Sequence, residues 1–127
     1  MKLINTDEKI FIAGSTGMVG SSIKRKLNYF GYKKIICPKK SELDLSDIKL
    51  VKRWFELNKP EVVILAAAKV GGIYANNQSP VDFLLENLKI QNNIIETAWK
   101  NKTRRLLFLG SSCIYPKDSE QPIKEEQ

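Results

Sequence analysis

The sequence predicts an α/β fold, a doubly wound parallel sheet with helices on both faces. Short unbroken apolar runs, as in strands buried on both faces, alternate with longer stretches whose apolar residues recur at helical spacing. The first run, Lys9–Ala13, leads into Gly14-Ser15-Thr16-Gly17-Met18-Val19-Gly20, a G-x-x-G-x-x-G turn that opens a helix. Lys40, Ala67 and Ser111 fall at the carboxyl ends of the later runs, the edge where such sheets gather ligands.

The elements follow in chain order. Strand one is Lys9–Ala13. Helix one runs over Met18–Phe30, with Val19, Ile23 and Leu27 at four-residue spacing, and is closed by Gly31. Lys33–Cys37 is a second strand, stopped by Pro38. Ser46 is placed to cap the next helix, with Asp47 in its first turn and Ile48, Val51 and Phe55 as its buried stripe. Pro60 precedes the strand Val62–Ala66, and a Gly- and Asn-rich loop spans Lys69–Ser79. A long helix, Pro80–Lys100, begins with proline, where a missing N–H costs nothing. Its candidate core contacts are Phe83, Leu84, Leu88, Ile94, Ile95 and Ala98. Arg105–Leu109 is the last strand, ending in Gly110-Ser111-Ser112-Cys113. No repeat, low-complexity segment or linker interrupts this order, so residues 1–127 read as one domain.

Composition narrows the function classes. A hydrophobic fraction of 43% and a charged fraction of 28% are those of an ordinary globular chain. No apolar run reaches the length of a membrane span, and the N-terminus lacks the apolar stretch of a signal peptide. Two distant cysteines, Cys37 and Cys113, without metal-ligand spacing, suggest a reducing cytoplasm, no disulfide framework and no metal site. The net charge is +7, but the basic blocks are dispersed without interleaved aromatics. A solvated basic surface explains them better than a nucleic-acid interface, and it would attract an anionic nucleotide-linked substrate.

The glycine turn is a Rossmann-like dinucleotide cradle. Gly14 lets the chain turn off the strand, Gly17 lets backbone approach a pyrophosphate, and Gly20 allows close helix packing. The following helix N-terminus offers free N–H groups to the phosphates. An NAD site usually has an acidic residue about 20 residues on, to accept from the ribose 2′-hydroxyl. Here the second strand ends Cys37-Pro38-Lys39-Lys40, without a carboxylate; a cation there favours the 2′-phosphate of NADP, unless both lysines are simply surface residues.

Three separate segments share a further pattern: Ile10–Gly20, Leu65–Ile73 with Ala75-Asn76-Asn77, and Leu106–Pro116, which contains Gly-Ser-Ser-Cys-Ile-Tyr-Pro. Together they resemble the GDP-L-fucose synthase family of extended short-chain dehydrogenase/reductases, over roughly residues 9–122. The resemblance implies an NADPH-dependent epimerase/reductase of nucleotide-sugar metabolism. It would act on GDP-4-keto-6-deoxy-D-mannose at C3 and C5, reduce C4 to give GDP-L-fucose, and work as a homodimer. It also implies a cofactor set of Gly14, Ser15, Thr16, Gly17, Met18, Val19, Gly20, Lys40, Asp44, Leu45, Ala67, Leu109, Gly110, Ser111 and Ser112.

Lys40 matches one of the family's arginines, whereas Pro38 and Thr16 stand where relatives can carry others. Asp44 resembles the acid that meets the adenine amino group, or it serves the turn before the next helix. Ser111 matches the serine that hydrogen-bonds the C4 oxygen, and Cys113 the epimerisation base, a role that needs a thiolate. Ser112 contacts either backbone or cofactor; Cys37 reads as a core residue. Lys69, Gly71 and Gly72 lie on a loop at the ligand edge, and Asn87 is either a residue that supports the site or a helix-surface asparagine.

The family's reduction also uses a Tyr-x-x-x-Lys pair and its epimerisation a downstream histidine. Histidine does not occur in this sequence, and the one pair with that spacing, Tyr29 and Lys33, is interrupted by Gly31. By this resemblance residues 1–127 are expected to be the N-terminal, NADP-binding Rossmann part of such an enzyme, without its substrate domain, and not to turn over substrate alone. Two other readings are another nucleotide-sugar epimerase or reductase of the superfamily, and a non-catalytic NADP-binding module.

Overall fold

The computed structural model describes residues 3–126. Four parallel strands, β1 (Ile10–Ala13), β2 (Ile35–Ile36), β3 (Val62–Leu65) and β4 (Arg105–Phe108), lie in the order β2-β1-β3-β4. The helices are α1 (Met18–Tyr29), α2 (Ile48–Asn58), the short α3 (Ile73–Gln78) and α4 (Pro80–Lys100). A 3-10 turn covers Ser112–Ile114.

Strand alternation sends the β1 and β3 side chains to two cores. Phe11, Ala13, Val63 and Leu65 meet Val51 and Phe55 of α2 and Ile90, Ile94 and Ala98 of α4. Ile10, Ile12, Val62 and Ile64 meet Ile23 and Leu27 of α1 on the opposite face. The sheet is thus covered on both faces, as the unbroken apolar runs require. Phe11 anchors the larger core, its ring 4.4 Å from that of Trp54 and 5.8 Å from that of Phe55. Fully burying such a side chain contributes about 1.5–3 kcal/mol.

Several expectations are corrected. The loop over residues 69–79 contains α3, a helix of six residues. The second strand shrinks to Ile35 and Ile36, because only these residues pair with β1 before Pro38 stops the ladder. Asp47, not Ser46, caps α2: its carboxylate accepts from the N–H groups of Lys49 (2.8 Å) and Leu50 (3.3 Å). On α4, Ile94 and Ala98 are buried and Phe83 is half-buried, but Leu84, Leu88 and Ile95 are exposed. The inward stripe runs instead through Glu86, Ile90, Ile94 and Thr97, with polar residues interrupting it.

A turn at residues 5–8 is tied to the start of β4. Glu8, buried, accepts from Arg104 Nε (2.5 Å) and Nη2 (2.6 Å) and from the N–H of Asn5 (2.6 Å). No helix among the described residues is long and apolar enough to cross a membrane.

Candidate functional site: a cleft at the carboxyl edge of the sheet

The site begins where β1 ends. Gly14 has φ +84°, and a Cβ there would lie 2.7 Å from backbone atoms of Ala66 and Ala67. Only glycine lets the turn press so close to the chain leaving β3. At Gly20 a Cβ would stand 2.2 Å from the Gly14 carbonyl oxygen, so α1 is docked directly on the turn. Gly17 differs, since a Cβ there would meet only the Gly14 carbonyl oxygen at 3.4 Å. The protein itself leaves room at Gly17, which lines the cleft. Gly17 is also the N-cap of α1, with no side-chain cap and no acidic residue in the first turn. An uncapped helix start beside a glycine that faces open space fits a phosphate group.

The cleft encloses about 580 Å³ between this turn, the loop after β2, the chain leaving β3 and α4. Of the residues assigned from sequence, Thr16, Gly17, Lys40, Asp44, Leu45 and Ala67 line it. Ser15 is buried beneath the turn, Gly20 is buried at the helix contact, and Met18 and Val19 point to solvent. Leu109, Gly110 and Ser111 follow β4 at the same edge of the sheet, outside the lining of this cleft. The backbone of Ser112 opens the 3-10 turn.

Asp44 serves the turn before α2. One of its carboxylate oxygens accepts from the Ser46 hydroxyl (2.7 Å) and N–H (2.9 Å). The Ser46 hydroxyl, its N–H and the charge of Lys40 hold the Asp44 carboxyl below the ordinary aspartate value. Asp44 nevertheless lines the cleft, so the turn fixes an anionic group at its wall.

Helix α4 supplies the opposite wall through residues that sequence reasoning missed or left open. Asn87 accepts from the Lys69 N–H (2.7 Å) and donates to the Lys69 carbonyl (3.0 Å), a two-point clamp on the loop after β3. Asn87 is thus half-buried and bonded across to the loop, not free on the helix surface. Asn93 donates to the Leu45 carbonyl (2.9 Å) and so fixes the loop before α2. Glu86 bridges two lysines, 3.0 Å from Lys69 Nζ and 3.4 Å from Lys40 Nζ. Lys69 also lies over the Phe83 ring at 5.4 Å. The legible signal for Glu86 and Asn93 is their place along the inward stripe of α4, where polar residues need partners.

At the end of β4, the Ser111 hydroxyl accepts from the Cys113 N–H (3.2 Å), so both side chains belong to one tight turn. Cys113 is exposed, while Cys37 is half-buried against the α1-face core. Among the described residues no group of three or more His, Cys, Asp or Glu side chains could hold a metal ion.

A profile of the NAD dependent epimerase/dehydratase family matches residues 10–127. The chain belongs to that family. Among its relatives, GDP-L-fucose synthase 1 of Arabidopsis thaliana is 53% identical over 92% of this chain and 36% of its own length. GDP-L-fucose synthase of Escherichia coli is 48% identical over 94% of this chain and 37% of its own length. Among solved structures, MlghC, a GDP-mannoheptose C4 reductase from Campylobacter jejuni with NADP bound, superposes with a TM-score of 0.89. It is 37% identical, over 97% of this chain and 39% of that one. The chain thus spans little more than a third of the length of these epimerase-family proteins. Its parallel sheet with helices on both faces is their Rossmann-like fold.

Proposed function

We propose that this chain supplies the NADP(H)-binding part of a GDP-L-fucose synthase, an epimerase/reductase acting on GDP-4-keto-6-deoxy-D-mannose. The observation that carries the reading is the Ser111–Cys113 turn at the carboxyl end of β4, in a chain about half identical to GDP-L-fucose synthases. The cofactor side rests on the uncapped α1 start, the open space at Gly17 and the cation at Lys40.

NADPH, when bound, supplies the hydride for the C4 ketone. The chain's own residues bind and orient. The α1 N-terminus and the glycine turn take the pyrophosphate, Lys40 the 2′-phosphate, and Asp44 and Leu45 the adenine side. Ser15, Thr16, Met18, Val19, Ala67, Leu109, Gly110 and Ser112 complete the cofactor wall. The Ser111 hydroxyl donates to the C4 oxygen as negative charge develops there. Cys113, as thiolate, takes the protons at C3 and C5, each acidified by the neighbouring ketone. Epimerisation also needs an acid that protonates C3 and C5 from the opposite face, and reduction a proton donor to C4; no residue placed above supplies either. The complete enzyme is a cytoplasmic homodimer in this reading; the exposed Val81, Leu84, Leu85 and Trp99 on α4 are the apolar surface such a contact would use.

The test is NADPH oxidation by the natural full-length protein with GDP-4-keto-6-deoxy-D-mannose, run in deuterated water. Turnover with deuterium entering C3 and C5 is expected, and Cys113→Ser should abolish that incorporation. Its absence from a protein that still reduces GDP-linked keto sugars would favour the second reading, a C4 reductase without epimerisation, as the likeness to the Campylobacter protein suggests.

A further inference from the structure

We propose that Glu86 sets how strongly the cleft prefers NADP over NAD, because its carboxylate bridges Lys40 and Lys69 and competes with the 2′-phosphate for Lys40. The inference rests on the dinucleotide reading above and adds to it a residue with the opposite sign to the expected cation.

The three side chains stand together at the cleft mouth, and all of them line it. They also line a second, smaller cavity of about 300 Å³, with Lys89, Asp82 and Ser46. The bridge is thus a wall between the two spaces. Its two arms are unequal. Lys69 is held by the Asn87 clamp on its backbone and by the Phe83 ring, and its Nζ is the closer, 3.0 Å from the carboxylate. Lys40 is 3.4 Å away on a side chain 78% exposed, free to swing toward a ligand. Glu86 itself stands on α4, whose backbone is anchored just beyond it by Asn87 and the buried Ile90, and its carboxylate stays with the nearer Lys69.

A ligand phosphate would therefore take Lys40 and leave Glu86 with Lys69. The phosphate then faces a fixed carboxylate whose charge only one lysine neutralises. NAD carries a neutral hydroxyl at that position, loses nothing to this competition, and can donate to a carboxylate. Lys69, foremost, and then Lys40 hold the Glu86 carboxyl below the ordinary glutamate value, so it is charged at neutral pH.

The experiment measures the dissociation constants of NADP+ and NAD+ by calorimetry at low ionic strength, on the natural full-length protein. Glu86→Gln, Lys40→Met and the double variant are compared with wild type. Glu86→Gln is expected to tighten NADP+ by about threefold, the scale of a partly exposed ion pair, with a smaller change for NAD+. That gain should vanish in the Lys40→Met background. If Glu86→Gln leaves the NADP+/NAD+ ratio unchanged or lowers it, Glu86 does not compete and the proposal is overturned. Should the glutamine variant fail to fold, Glu86→Ala carries the same expectation. Wild type that binds neither dinucleotide would instead overturn the cofactor reading itself, and this inference with it.

Discussion

At Gly20 the nearest obstacle to a side chain is the Gly14 carbonyl oxygen, 2.2 Å from where a Cβ would stand. That oxygen is backbone, so it cannot give way as the end of a flexible side chain would. Gly20→Ala should therefore shift α1 off the turn and destabilise the protein by about 1–3 kcal/mol, measured by urea unfolding. Because α1 starts from the turn that lines the cleft at Thr16 and Gly17, dinucleotide affinity should fall too. Gly17→Ala makes the useful contrast. It meets no close protein atom, so stability should change little while affinity drops, if Gly17 is where a pyrophosphate approaches.

The helices show how a tertiary partner chooses between similar local signals. Ser46 and Asp47 both suit an N-cap, and spacing alone does not separate them. Asp44 decides it by taking the Ser46 hydroxyl and N–H, which leaves Asp47 to reach Lys49 and Leu50. Asp47→Ala is thus expected to cost about 1 kcal/mol in chemical denaturation, with a smaller effect from Ser46→Ala on α2 itself. On α4 the apolar residues occupy two faces. Only the face carrying Ile90, Ile94 and Ala98 meets the sheet, and Leu84, Leu88 and Ile95 remain outside.

Across the whole molecule, the Glu8–Arg104 pair joins the first described residues to the last strand over 96 positions of sequence. The Arg104 guanidinium, with the Asn5 N–H, holds the Glu8 carboxyl below the ordinary glutamate value. A lowered folded value means that this stabilisation is complete above the unfolded glutamate pKa. It is lost as pH falls from there through the folded value. Thermal unfolding of wild type should show that acid-side loss, and Glu8→Gln should flatten it. An unchanged pH profile would show that the pair contributes nothing. At the far edge of the sheet, among the described residues β4 pairs only with β3, and its Leu107 and Phe108 are about half exposed.

The sequence by itself determined the sheet, the glycine turn and three of the four helices, including the bounds of α4. Unbroken apolar runs, Gly, and Pro at a helix start act through local sterics and burial, which neighbours in sequence reveal. It also determined which residue types stand at the carboxyl edge. Only the tertiary structure decided that Asp44 is occupied by Ser46, that Asn87 and Asn93 brace the two loops, and that Glu86 sits between Lys40 and Lys69. Those contacts join residues 46 and 48 positions apart as well as near neighbours, and a partner across a cleft leaves no periodic trace in the chain.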